Sequence, residues 1–60
     1  MKVNQEAWTA GSELGWDDGY NDIPPKPELE FKFPSHYSES EKQFFIDGYN
    51  KGYEQGRRDC

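Results

Sequence analysis

All six glycines of this 60-residue chain fall at helical spacing in two short stretches. GSELGWDDGY (residues 11–20) carries Gly11, Gly15 and Gly19, and GYNKGYEQG (48–56) carries Gly48, Gly52 and Gly56. Residues four apart form one row along an α-helix, and a row of glycines is a groove rather than a ridge. Each interior glycine costs a helix about 0.8–1.0 kcal/mol relative to alanine. A chain that does this twice needs close helix–helix approach to offset the loss. Gly11, Gly15, Gly48 and Gly52 are the residues expected to provide it.

The row one residue further on is aromatic in both stretches. It reads Trp8, Ser12, Trp16, Tyr20 in the first and Phe45, Tyr49, Tyr53, Arg57 in the second. A shift of 37 residues superposes the two, setting Trp8 on Phe45, Gly15 on Gly52 and Trp16 on Tyr53. Two copies are too few for a solenoid, but they suit a pair of helices with approximate internal twofold symmetry. A groove beside an aromatic ridge on each helix lets the rings of one lie over the bare backbone of the other, in one chain or between two copies.

Start and stop signals place the helices at about 5–20 and 40–58. Asn4 is an N-cap candidate for the first, and glycine's preference for the position past a helix end sets its close near Gly19 to Asn21. Ser38 with Glu41, or Ser40 with Gln43, makes a capping box for the second, Ser40 being preferred because the apolar run starts at Phe44. Arg57 and Arg58 suit the negative end of the helix dipole. The connection, 21–39, holds Pro24, Pro25 and Pro27, which forbid helix and favour extended backbone. Leu29, Phe31 and Phe33 then alternate with charged residues at strand periodicity, as an arm laid over the helices or paired with another chain's arm. The fold class is all-α: one domain, 1–60, a two-helix hairpin with glycine-groove and aromatic-ridge packing and a long, proline-rich, partly extended connection.

Hydrophobic residues make up only 32% of the chain, and the formal net charge is −5. A domain this small hides only about 60% of its unfolded surface, so the ten aromatic residues must supply most of its core. The acidic balance argues against direct nucleic-acid binding, which relies on cations displacing phosphate counterions. No run approaches the roughly 20 apolar residues of a membrane span, and MKVNQEAW lacks a signal-peptide core. A single cysteine, Cys60, allows no intrachain disulfide, which with the missing signal points to the cytoplasm.

Catalytic chemistry finds no foothold. His36 is the lone histidine, with no positioned partner for acid–base work. One Cys and one His cannot build a zinc site. In WDDGYND the glycine directly follows Asp18, which breaks the spacing of a calcium loop. The glycines have no Lys-Ser/Thr after them, so no phosphate loop forms. The expectation is a non-enzyme with no metal and no cofactor. IPPKPELEF matches a PxxP ligand at Pro24 to Pro27, but such short matches arise often by chance and a stiff connector is the expected role.

The segments AWTAG (7–11), a proline at 24 or 34 in the connection, and FFIDGYNKGY (44–53) together resemble the ribosome modulation factor family. The resemblance implies a small helical fold and association with ribosomal RNA. The chain departs from that family in charge, with an isoelectric point near 4.6, so only the fold is carried over and no RNA-contacting residue is.

The expected function is a small cytoplasmic protein-binding module, an inhibitor, adaptor or regulator, whose partner presents a basic surface. The expected contact residues are Trp8, Trp16, Tyr20, Phe45, Tyr49 and Tyr53, with Asp17, Asp18 and Asp22 as an acidic rim, since aromatics dominate interface energetics and rim charges steer association. Asp18 also points toward the glycine face, where Arg57 or Arg58 could reach it. A homodimer, a structural homo-oligomer, a nucleic-acid mimic and a ribosome-associated factor are the alternatives.

Overall fold

The computed structural model describes residues 2–27 and 30–59, with side chains of the first helix from Gln5 onward. Two helices, α1 (Lys2–Tyr20) and α2 (Glu39–Asp59), pack against each other, and no strand forms among the described residues. The all-α, two-helix architecture is that implied by the repeat. Asn4 lies inside α1 rather than capping it, because the helix begins at Lys2.

The two helices run in the same direction. A Cβ built on Gly11 would strike the carbonyl oxygen of Phe45, one on Gly15 that of Tyr49, and one on Gly19 that of Tyr53. Reciprocally, Gly48, Gly52 and Gly56 face the carbonyl oxygens of Trp8, Ser12 and Trp16. Partner numbers rise together, so the pair is parallel, and each contact has its counterpart about 37 residues away. A short αα turn leaves its helices antiparallel. Here the connection must instead return along the full pair. α1, with 19 residues, is about 28 Å long at 1.5 Å per residue, and the long axis of the molecule is 32 Å. Residues 21–38 cover that distance easily at about 3.1 Å per residue of extended chain.

It is the backbone of the aromatic row, not its rings, that meets the glycines. Every one of the six contacts falls inside 3.0 Å of a virtual Cβ, so each glycine's own Cα hydrogen points at a carbonyl across the interface. Such Cα–H···O contacts contribute about 0.5–1 kcal/mol each, roughly 3–6 kcal/mol for six. Six interior glycines cost about 5–6 kcal/mol in helix propensity, so the two terms nearly balance. The rings are thereby freed to point outward on both sides of the pair.

The helix ends differ in mechanism from the sequence expectation. Gly19 is an interior packing residue, and the left-handed residue past α1 is Asp22, at φ 58°. Its N–H donates to the Gly19 carbonyl at 3.2 Å and the Ile23 N–H to the Asp18 carbonyl at 2.9 Å, the paired bonds of a Schellman cap. At α2 the box forms on Ser38, not Ser40. The Ser38 N–H donates to Glu41 Oε1 at 2.8 Å and the Glu41 N–H to Ser38 Oγ at 3.3 Å. Capping there starts the helix two residues earlier and leaves Glu41 buried at 7% exposure, while Ser40 stays exposed in the first turn.

The connection lies against α2. Phe31 sets its ring edge-on to Phe45 at 5.5 Å and to Tyr49 at 4.9 Å, and Phe33 meets Phe45 edge-on at 5.4 Å. Leu29, the third residue of the expected arm, falls outside the described residues, as does Cys60. Among the described residues, Tyr49 is the one large side chain fully enclosed, at 1% exposure, and Ala7 joins it in the core at 0%. Among the described residues, no helix is long and apolar enough to cross a membrane.

Candidate interaction surface

The expected contact residues divide between the two sides of the helix pair. On the α2 side they are covered by the chain's own connection. Asp18 is 3% exposed and receives two short hydrogen bonds on Oδ2, from Lys26 Nζ at 2.7 Å and from the Tyr49 hydroxyl at 2.6 Å. The Lys26 backbone N–H in turn donates to the Tyr49 hydroxyl at 3.1 Å, and the Tyr53 hydroxyl donates to the Ile23 carbonyl at 2.6 Å. Burial works to raise the Asp18 pKa, but the Lys26 and Tyr49 hydrogen bonds and the ammonium charge outweigh it and hold the carboxyl below its ordinary value. Burial, then the bond to Asp18, pushes the Tyr49 hydroxyl up to about 12.

Asp18 and Tyr49 are therefore internal fasteners, not part of an exposed rim, and Phe45 and Tyr53 are half-buried beside them. Neither arginine partners Asp18. Arg57 lies 5.9 Å from the centre of the Tyr53 ring and Arg58 pairs with Glu54 at 2.8 Å. Lys26 reaches Asp18 instead because the proline segment turns back over the end of α1. Nothing in the local spacing of Lys26 marks it for this role; the parallel return of the connection creates it.

On the α1 side the rings stay open. Trp8, Trp16 and Tyr20 are 41%, 37% and 45% exposed. Trp16 and Tyr20 stack at 4.7 Å with their planes 17° apart, and the Trp16 indole N–H donates to Asp59 Oδ2 at 3.0 Å. Asp17 is exposed next to them, and Asp22 is exposed at the cap. A groove of about 410 Å³ opens between the helices here, with Trp8, Ser12, Trp16, Gly52 and Gln55 in its walls. Its α2 bank is Lys51, Gln55 and Arg58; no local pattern marks Lys51 or Gln55 for it, and Arg58 was expected at the helix end or beside Asp18. The 37-residue repeat was the signal that could have found it.

No group of three or more His, Cys, Asp or Glu gathers to hold a metal ion among the described residues. Comparison with family models, curated proteins and solved structures finds no match for this chain.

Proposed function

We propose that the protein is a small non-enzymatic binding module of the cytoplasm that acts on another protein as inhibitor, adaptor or regulator. The glycine rows are read as the grooves that let the helices approach closely and turn the aromatic ridges outward. One observation carries the reading: three exposed aromatic rings stand on α1, a helix with no basic residue between positions 5 and 20. Glu6, Glu13 and Asp17 lie exposed along that helix, giving an apolar strip edged with carboxylates. Such a surface suits a partner that offers apolar side chains ringed by lysine or arginine. The apolar contacts supply affinity and the charges set the approach.

The test is affinity capture from cytoplasmic lysate with the tagged 60-residue chain, with and without nuclease, beside light scattering of the protein alone. A defined protein partner that survives nuclease and is lost with Trp16→Ala or with Glu6→Lys plus Asp17→Lys is the expected result. Capture of ribosomal proteins only without nuclease replaces the reading with the ribosome-associated one. A homo-oligomer with nothing bound replaces it with self-assembly.

A further inference from the structure

The pseudo-twofold relation of the helices says what the open groove is shaped to hold. The seat of the connection is built from Phe45, Tyr49 and Tyr53 of α2 and Asp18 of α1, which contact Phe31, Phe33, Ile23 and Lys26. Thirty-seven residues away in sequence stand Trp8, Ser12, Trp16 and Gln55, and all four line the groove on the opposite side. The molecule thus has two seats at repeat-related positions, one filled by its own extended, proline- and aromatic-bearing segment and one left open among the described residues. We propose that the second seat takes an extended segment of the same chemistry from a partner protein. This rests on the protein-binding reading and names the partner's element.

The differences between the seats define the occupant. Ser12 replaces Tyr49, so the space that a ring fills on one side is hollow on the other. The Ser12 hydroxyl turns back to the Thr9 carbonyl at 2.9 Å and does not fill it. The occupant therefore brings an aromatic side chain of its own. Gln55 replaces the buried Asp18, so no lysine is needed where Lys26 sits in the filled seat. Glu13 and Lys51 on the two banks suit a segment with charges of both signs, as the connection itself carries. A second copy presenting its own groove fits poorly, because an isologous contact sets one concavity against another.

Both tryptophans of the chain line this groove, so intrinsic fluorescence reports its occupancy. The probe is a synthetic, tryptophan-free 13-residue peptide with the sequence of residues 22–34, DIPPKPELEFKFP, titrated into the intact 60-residue chain. A saturable blue shift is expected below about 1 mM, the effective concentration that a short tether supplies to the filled seat. Replacing the peptide's lysine nearest its N-terminus with glutamine leaves the shift in place, whereas replacing both phenylalanines with alanine removes it. Ser12→Tyr, which fills the hollow as Tyr49 does opposite, weakens binding at least about tenfold with the melting temperature unchanged. A silent spectrum to about 1 mM overturns the inference, and so does binding that ignores both the lost phenylalanines and Ser12→Tyr. Peptide binding with no protein captured from lysate supports the groove while removing the module reading. A captured partner that Ser12→Tyr leaves bound, with no peptide signal, removes the groove and keeps the module.

Discussion

At the residue scale, the Asp18, Tyr49 and Lys26 knot satisfies one nearly buried carboxylate with a hydroxyl and an ammonium. Its titration gives the protein two opposite pH limbs. The Asp18 carboxyl is held below its ordinary 3.8, so on acidification the unfolded chain takes up the proton first. The contribution is complete above about pH 4 and is lost as pH falls through the lower, folded-state value. Tyr49 titrates near 12 when folded against 10.0 ordinarily. Its contribution is complete below about pH 10 and fades as pH rises toward about 12. Denaturant midpoints measured across pH should show both losses, and Tyr49→Phe should erase the alkaline one. Asp18→Asn at neutral pH is expected to cost about 2 kcal/mol, the scale of a hydrogen bond to a charged group, and to flatten the acid limb. A full acid limb in that variant would mean other carboxylates produce it.

At the element scale, the helices are held by backbone contact, which inverts an ordinary substitution rule. Gly→Ala inside a helix normally stabilises by about 1 kcal/mol. At Gly15 and Gly52 the new methyl would overlap the backbone of Tyr49 and of Ser12, and a neighbouring helix backbone cannot rotate away as a side chain can. Gly15→Ala and Gly52→Ala should therefore each destabilise, by about 1–3 kcal/mol as in overpacked cores, read by chemical denaturation. A gain in stability would show that the helices separate at no cost. The cap offers a second contrast. Ser38→Ala removes the Glu41 N–H acceptor and should cost about 1 kcal/mol, whereas Ser40→Ala, on an exposed first-turn position, should be close to neutral.

For the whole molecule, the parallel sense of the helices is the decisive property, since it forces the connection to lie along the pair and leaves one face covered and the other bare. Spin labels placed through cysteine at Gln5 and Gln43 in a Cys60→Ser background should give a short distance. Labels at Gln5 and Arg58 should be separated by a large part of the 32 Å long axis. An antiparallel pair would reverse the two results. The same connection explains why the predicted contact residues split as they do. Phe45, Tyr49 and Tyr53 stand at the repeat positions of Trp8, Ser12 and Trp16, and the connection covers the first set while the second stays open.

That the chain forms two helices was legible in its helical spacing and cap signals, because helix periodicity and capping are local properties. The 37-residue repeat even carried the symmetry that relates the two seats. Direction was not in it: glycine rows allow close contact whether helices run together or opposed, and the residues that decide sit far apart in the chain. The exchange of Ser40 for Ser38 as cap and of the arginines for Lys26 as the Asp18 partner has the same origin. Each candidate was chemically adequate, and only the position of the returning connection, set by tertiary packing, selected one.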